Sequence, residues 1–219
     1  MAHPKVLVMA SQKGGVGKTA LSAHVGVAAE QAGAGPVVFY DTDPQPSLTE
    51  WWKDRKAAEP RLAKGGIAEL PATLQRLGQS GVRLVVIDTP PANTDSIRAV
   101  LEHADFVVIP CQDGKTDMRA VGKTVSMVRG LHKPFAFALT FVNRRTGQFA
   151  DATRMLSHYG PLASVISYRV VFKKAFNDGR TVQELEPNGA AAGEIRELWQ
   201  YVGTEMGLIV PAKEEKAFV

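Results

Sequence analysis

The sequence contains a single cysteine, Cys111, among 219 residues. One thiol cannot form an internal disulfide, and without Cys or His pairs at ligand spacing the sequence gives no case for zinc or an iron–sulfur cluster. We expect Cys111 to be a small packing residue. The sequence also lacks any apolar run near the roughly 18 residues of a membrane span. These absences exclude disulfide scaffolds, cluster carriers and spanning proteins as first hypotheses.

The length and composition are typical of one folded domain. Hydrophobic residues make up 45% of the chain and charged residues 22%, which is ordinary for a soluble globular protein. We therefore expect a single domain over 1–219, with 210–219 as a disordered tail. Residues 1–5 lead into the first strand without a signal-peptide pattern, and this predicts a cytoplasmic protein.

The most informative segment is S-Q-K-G-G-V-G-K-T, from Ser11 to Thr19. It follows an apolar run at 5–10 that indicates a buried strand, and it precedes 20–32, which indicates a helix. In this context glycines let backbone N–H groups close on phosphates, and the helix N-terminus adds its positive dipole end. Lys18 would reach the β and γ phosphates of ATP, and the Thr19 hydroxyl would ligate Mg²⁺. The residues expected to bind the nucleotide are Gly14, Gly15, Val16, Gly17, Lys18 and Thr19.

Acidic motifs follow two later strands, at 37–40 and 83–87. In open α/β sheets ligands bind at the carboxyl ends of the strands. Asp88 ends an apolar strand in the Walker-B form, so it is the predicted Mg²⁺ partner, through water. In Asp41-Thr42-Asp43-Pro44-Gln45 a carboxylate can position an attacking water or hold a water of the Mg²⁺ shell. A simple turn at Asp-Pro is the alternative for this motif.

Apolar strand candidates alternate with helical stretches along the whole chain. This alternation predicts an α/β fold: a doubly wound, mostly parallel sheet with helices on both faces, of the P-loop NTPase type. The remaining strands are predicted at 106–109, 135–142 and 162–166. The remaining helices are predicted at 47–56, 68–79, 95–103, 118–131, 149–159 and 190–206.

The loop departs from the usual phosphate-binding pattern, because Gln12 stands where Gly is usual and Lys13 follows it. The signature K-G-G-V-G-K-T, from Lys13 to Thr19, resembles the ParA/MinD family of deviant Walker-A ATPases. Within that family the chain is similar to short ParA-type partition proteins without an N-terminal helix-turn-helix. The resemblance implies that Lys13 reaches the phosphates of a partner subunit's nucleotide; a solvated surface charge is the alternative. It also assigns Asp43 to hydrolysis and Asp41 to support of the metal site.

The resemblance covers nearly the whole chain and includes a C-terminal pattern between Arg169 and Glu194. The family often places an adenine-contacting Asn where Asn143 ends a strand, although Asn is also a common turn residue there. Two departures stand out. Ala20 replaces a usual Thr, and Pro110 to Asp117 reads P-C-Q-D-G-K-T-D where many relatives have P-x-x-P-S-x-x-D. That segment is expected to relay nucleotide state to partners, so the stimulating partner stays open.

Basic residues are concentrated in one stretch of the chain. Between Lys115 and Arg180 five Lys and seven Arg stand against three Asp and no Glu, whereas the whole chain carries only +4. Such a surplus is the footprint of polyanion binding, although a solvated helical face is an alternative. The resemblance implies nonspecific duplex DNA as the partner. The contacts it favours are Lys173, Lys174 and Arg180.

These observations predict an ATP-dependent dimerising switch that binds DNA and hydrolyses ATP slowly until a ParB-like or cargo adaptor protein stimulates it. Its expected task, at the nucleoid, is to partition or position a plasmid, a chromosome region or a protein cargo. One alternative is a MinD-like membrane-associated ATPase, for which 212–219 is too short and too acidic. Others are a reductase or scaffold with a metal cluster, and a binding module without hydrolysis, which Asp43 disfavours.

Overall fold

The computed structural model describes residues 3–91 and 94–209. The predicted tail at 210–219 lies outside this part. Within it, seven strands alternate with nine α-helices and one short 3-10 helix at Ile67–Glu69. The strands are β1 (Lys5–Met9), β2 (Val37–Asp41), β3 (Arg61–Ala63), β4 (Leu84–Asp88), β5 (Phe106–Cys111), β6 (Phe135–Val142) and β7 (Leu162–Ser167). The helices are α1 (Lys18–Gln31), α2 (Ser47–Lys53), α3 (Leu70–Gln79), α4 (Thr94–Leu101), α5 (Lys115–Gly130), α6 (Gly147–Ser157), α7 (Val170–Asn177), α8 (Val182–Leu185) and α9 (Ala190–Glu205).

The seven strands form one sheet in the order β3-β2-β4-β1-β5-β6-β7. Every pairing among them is parallel, so the sheet is fully parallel across the described residues. In the centre, β1 pairs with β4 from Lys5↔Leu84 to Met9↔Asp88 and with β5 at Leu7↔Phe106. The prediction of a doubly wound parallel sheet is confirmed.

The strands are buried because both of their faces are covered. In β1, Leu7 and Met9 pack into one apolar cluster, whereas Val6 and Val8 pack into the other. The first cluster takes side chains from α1, α2, α7, α8 and α9, and the second from α3, α4, α5 and α6. Each fully buried Val or Leu contributes about 1.5–3 kcal/mol, so the two clusters supply the main stabilisation of the domain.

Three elements were missing from the sequence prediction: β3, α7 and α8. β3 is a three-residue edge strand with exposed or half-buried side chains, so it carries no apolar run. α8 is a single turn closed by a capping box at Thr181 and Glu184. The other predicted strands and helices are present, with ends shifted by a few residues; α1 for example begins at Lys18.

The sheet order brings three functional loops together. β2, β4 and β1 are neighbours, so the loops at their carboxyl ends meet at one edge of the sheet. The Thr42 hydroxyl donates to the carbonyl oxygen of Asp88 at 2.6 Å, and the Thr42 amide donates to the same oxygen at 3.1 Å. These bonds fasten the loop after β2 to the end of β4. None of the helices in the described ranges is long and apolar enough to cross a membrane.

Candidate functional site

The phosphate-binding loop lies between β1 and α1, and its shape is set by the chain's own packing. Gly17 precedes Lys18 with a φ of 90°, a left-handed conformation that favours glycine. A Cβ there would lie 2.8 Å from the ring of Phe141, so a side chain has no room. The Thr140 hydroxyl donates to the carbonyl oxygen of Val16 at 2.7 Å, which fastens the loop to β6.

Lys18 is buried at the first position of α1, and its Nζ donates to the carbonyl oxygen of Lys13 at 3.3 Å. Burial lowers the pKa of the Lys18 ammonium from its ordinary value, while the charges of Asp88 and Asp43 act in the opposite direction. A buried cation is favoured by an anionic partner. A phosphate chain in the loop would supply that partner.

Thr19 and Asp88 form the contact between the loop and the end of β4. The Thr19 hydroxyl donates to Oδ2 of Asp88 at 2.5 Å. Asp88 is only 1% exposed. Burial raises the pKa of its carboxyl to about 7, the bond from Thr19 opposes this, and the charges of Asp41 and Asp43 add to it. The carboxylate therefore lies where it needs a cation or a proton.

The residues present fit a magnesium ion. Oδ1 of Asp88 is buried without a hydrogen-bond partner, and the Thr19 hydroxyl beside it is a second oxygen ligand. No group of three or more His, Cys, Asp or Glu residues in 3–91 and 94–209 could hold a metal ion by itself. Mg²⁺ is commonly bound by one or two protein oxygens together with water and substrate phosphates, so this small donor set suits it.

Asp41 and Asp43 occupy different positions in the loop after β2. The two carboxylate oxygens of Asp41 accept backbone N–H bonds from Asp43 at 3.1 Å and from Thr49 at 2.9 Å. Burial raises the pKa of Asp41, and these bonds act against the rise. Asp43 and Lys18 both line a cleft at the phosphate-binding loop, which we call the phosphate cleft. The structure thus places Asp43 at the cleft and uses Asp41 to shape the loop.

The phosphate cleft includes residues that the sequence analysis did not select. The cleft has a volume of about 350 Å³. Pro91 follows the Walker-B segment, so the strand-end rule could have found it. Ser47 opens α2 and Phe176 comes from α7, and nothing in their local sequence marks them. The lining residues are Gly14, Gly15, Gly17, Lys18, Thr19, Ala20, Asp43, Ser47, Pro91 and Phe176.

Lys13 is turned away from this cleft. Its Nζ lies 2.6 Å from Oδ1 of Asp117 and donates to the Thr116 hydroxyl at 3.3 Å. Both partners lie on the first turn of α5, and they are the last two residues of the segment that departs from the family pattern. Lys13 therefore forms a bond within its own chain and is not among the cleft residues.

Two further cavities continue from the phosphate cleft along the same edge of the sheet. The first is an apolar groove that shares Ala20 and Phe176 with the cleft. The second, of about 560 Å³, shares Tyr168 and Arg169 with the groove and includes Asn143. Because neighbouring cavities share lining residues, the three are together called the trench, which extends from the phosphate cleft to the polar cavity. Asn143 lines the polar cavity at the far end of the trench.

The three predicted DNA contacts are all exposed. Lys173 and Lys174 lie on α7, and Arg180 follows that helix. Lys173 also lines the apolar groove, and Arg180 forms an ion pair with Asp178 at 3.0 Å. The three residues thus differ in their surroundings: Lys173 lines the groove, Arg180 is paired with Asp178, and Lys174 is exposed on α7 and is not among the residues that line the groove.

The linear charge surplus overstates the basic surface. Arg144 and Arg169 both form ion pairs with Glu194, at 3.1 and 2.7 Å, and Glu194 lies outside the counted stretch. Glu194 therefore offsets one of the positive charges counted in this stretch, and its two arginine partners share that carboxylate. A count along the chain cannot include a partner that only the fold brings close.

Comparisons with known proteins identify a matching family, similar sequences and similar solved structures. A family model described as "CobQ/CobB/MinD/ParA nucleotide binding domain" matches residues 7–182. "Maintenance of carboxysome distribution protein A" of Gloeobacter kilaueensis is 34% identical over 164 residues, which cover 73% of this chain and 74% of that protein. The protein of the same name from Halothiobacillus neapolitanus is 29% identical over 205 residues, covering 88% and 93%. Among solved structures, the septum site-determining protein MinD of Pyrococcus horikoshii, complexed with Mg-ADP, has a TM-score of 0.78 at 16% identity, covering 95% of this chain and all of that one.

Proposed function

The chain belongs to the CobQ/CobB/MinD/ParA nucleotide-binding family, and we propose that it is an ATP-dependent dimerising switch that positions a cargo. One observation carries the proposal. Lys18 and Thr19 at the start of α1 line one cleft with Asp43 from the loop after β2, and Asp88 at the end of β4 contacts Thr19. Cation, metal ligands and a carboxylate in one cleft are the parts that phosphoryl transfer to water requires.

The cleft would hold the phosphates of ATP, with the backbone N–H groups of the loop and Lys18 as partners. Thr19 would bind Mg²⁺ directly, and Asp88 would accept a hydrogen bond from its bound water. When bound, Mg²⁺ neutralises the charge that develops on the β and γ phosphates. Asp43 would orient the attacking water, since it lines the same cleft as Lys18 and Thr19 and its Oδ1 accepts the backbone N–H of Gln45 at 2.9 Å.

Dimerisation would depend on Lys13. Lys13 does not line the phosphate cleft of its own subunit. Once its ion pair with Asp117 opens, its ammonium group would be free to contact the nucleotide of a neighbouring subunit. Two subunits facing each other across their nucleotides would each supply Lys13 to the other. Hydrolysis removes the γ phosphate that both lysines hold, so the dimer would then separate.

The dimer would bind duplex DNA without sequence preference through exposed basic residues of α7 and the turn that follows it. Two copies of one weak basic face bind more phosphates than one, so DNA binding would follow the ATP state. Slow turnover, accelerated by an adaptor protein, would make the protein a timer on the nucleoid. Two relatives carry names that refer to carboxysome distribution, which supports a protein cargo over a plasmid.

The experiment that tests this function is sedimentation of the purified protein with ATP, with ADP and without nucleotide, alongside phosphate release. We expect a dimer only with ATP and Mg²⁺, and phosphate release that rises with protein concentration as dimers form. A monomer in all three conditions, or turnover independent of concentration, would contradict the proposal.

A further inference from the structure

Glu194 joins three elements that are distant in sequence. It lies on the first turns of α9, and its side chain is only 9% exposed. Oε1 accepts hydrogen bonds from Arg144 Nη2 at 3.1 Å and from the Ser167 hydroxyl at 2.8 Å. Oε2 accepts from the Ser167 backbone N–H at 3.0 Å and from Arg169 Nη1 at 2.7 Å. One carboxylate therefore satisfies four donors from two separate loops.

The two loops are the walls of the polar cavity at the far end of the trench. Arg144 belongs to the loop after β6, next to Asn143, whereas Ser167 ends β7 and Arg169 lies in the connection that follows it. Arg144 also reaches across to β7, where its Nη2 donates to the carbonyl oxygen of Val165 at 2.6 Å and its Nε donates to Ser167 Oγ at 3.0 Å. Glu194 lies behind both walls and is not itself a lining residue.

These bonds connect the two walls of the cavity through one carboxylate. Arg144 and Arg169 meet at the same carboxylate, so Glu194 joins the two walls in addition to the bonds that Arg144 makes directly to Val165 and Ser167. Two guanidinium groups repel each other, so without a shared anion they would move apart and carry the loops with them. The four donors also restrict the position of the buried carboxylate, because each of its oxygens must stay within hydrogen-bond distance of two groups.

We propose that Glu194 is a positioning residue that holds the two loops at the spacing required by the nucleobase, while the phosphate end of the trench does not depend on it. This inference rests on the proposed nucleotide-binding function. Since the residues of the phosphate cleft are a different set from those around Glu194, the two ends of the trench should be separable by mutation.

The test compares two ligands on the same variants by isothermal titration with Mg²⁺: ATP, and inorganic tripolyphosphate, which has no base. Glu194→Gln keeps the shape of the side chain but replaces one acceptor with an NH₂ donor that faces other donors. We expect affinity for ATP to fall about tenfold or more, and affinity for tripolyphosphate to stay within about twofold of the wild type.

Glu197→Gln is the matched control, because Glu197 is exposed on the same helix. It should bind both ligands as the wild type does. If Glu194→Gln loses both ligands equally, or neither, Glu194 does not position the base end and the inference is wrong. A wild-type protein that binds neither ligand would instead overturn the proposed nucleotide site.

A second variant keeps the inference testable if Glu194→Gln does not fold. Arg144→Ala removes one arm of the network, and its side chain is about half exposed, so its loss does not open the core. We expect weaker binding of ATP, by about threefold or more, with unchanged binding of tripolyphosphate. Equal affinity for ATP in Arg144→Ala and wild type would contradict the role of the network.

Discussion

Lys13 Nζ and Asp117 Oδ1 lie 2.6 Å apart within one chain, and the Asp117 side chain is 6% exposed. The lysine that the family signature assigns to a partner subunit is therefore held by an ion pair at the start of α5. Removing one partner from a buried pair leaves the other charge uncompensated. In the proposed dimer, opening this ion pair would offset part of the free energy of association.

Changes at the two residues should have opposite effects on the dimer. Lys13→Ala should weaken ATP-dependent dimerisation and hydrolysis, while the isolated subunit still binds nucleotide. Asp117→Asn should free Lys13 and tighten the dimer about tenfold, which corresponds to about 1.4 kcal/mol. Sedimentation over a concentration series with ATP, in an Asp43→Ala background to prevent turnover, measures both effects.

Lys5→Ala is the control for these variants, because it removes another ion pair, with Asp105, at the opposite end of β1. It should leave dimerisation unchanged. A Lys13→Ala protein that dimerises and hydrolyses normally would refute the role between subunits. Asp117→Asn with a weaker dimer would show that Asp117 supports the dimer instead of competing with it.

Thr19→Ala should abolish measurable binding of Mg-ATP, because it removes the hydroxyl beside the buried carboxylate of Asp88. Lys18→Ala should do the same by removing the buried cation. Thr19→Ser keeps a hydroxyl and should retain binding within about threefold. Isothermal titration with ATP and Mg²⁺ measures all three, and unchanged heats of binding in Thr19→Ala would show that the site is misassigned.

Asp43→Ala should retain ATP binding and dimerisation but lose hydrolysis, because the proposed role of Asp43 is to orient water. A loss of about 100-fold or more in turnover is expected for removal of a group that acts on the attacking water. Phosphate release and light scattering on the same sample separate the two properties. Asp54→Ala, an exposed Asp at the end of α2, is the control and should turn over normally. Failure of Asp43→Ala to bind ATP would make Asp43 structural.

Lys174→Gln should make DNA binding less sensitive to salt. Each phosphate neutralised contributes about −0.9 to the slope of log affinity against log salt, so losing one contact should make the slope shallower by about that amount. Lys173→Gln should act similarly, and Arg180→Gln less, because Asp178 already offsets its charge. Fluorescence anisotropy with two unrelated duplexes, with ATP and with ADP, gives the slopes.

Lys64→Gln is the matched control, since Lys64 is exposed beside β3 and outside the basic stretch. Its slope should equal that of the wild type. If the wild type binds equally in ATP and ADP, or not at all at low salt, duplex DNA is not the partner of this surface.

His24 should make the free energy of unfolding depend on pH. Burial lowers the pKa of its ring to about 4, and its Nδ1 donates to the carbonyl oxygen of Ala20 at 2.6 Å. Because the folded pKa lies below the unfolded value of about 6.5, the stabilisation is complete above pH 6.5 and is lost as pH falls toward 4. Relative to His24→Gln, the wild type should lose roughly 1.4 kcal/mol per pH unit in that range.

Urea unfolding at several pH values between 7 and 4 measures this difference. His158→Gln, at an exposed position after α6, should follow the wild-type curve. Parallel curves for His24→Gln and wild type would show that His24 does not titrate with folding.

Much of the site was predictable because it follows short-range rules. Two local signals indicate it: a glycine-rich loop between an apolar strand and a helix, and carboxylates at the ends of strands. Reading these signals requires only that the strands are parallel, and the order of the strands in the sheet need not be known. Lys18, Thr19 and Asp88 were selected on that basis, whereas the family resemblance distinguished Asp43 from Asp41. The structure places Lys18, Thr19 and Asp43 at one cleft, with Asp88 in contact with Thr19.

The remaining features depend on contacts that no local pattern encodes. The bond between Lys13 and Asp117 requires α5 to start beside the loop, and Glu194 requires α9 to pass behind β7. α7 was missed because Val170 and Val171 begin it with β-branched residues, which favour strands, and packing of Phe172 and Ala175 overrides that preference.

The central place of β1 affects how the chain folds during its synthesis. Lys5 pairs with Leu84, 79 positions later in the chain, and Leu7 pairs with Phe106. At about 5–20 residues per second, a ribosome needs roughly 4 to 16 seconds to add the first of these neighbours. During that interval β1 is an apolar strand with both edges open, a species prone to aggregation. The phosphate-binding loop at 11–19 is thus translated near the start of synthesis. The contact between Thr19 and Asp88 can form only after Asp88 has emerged from the ribosome.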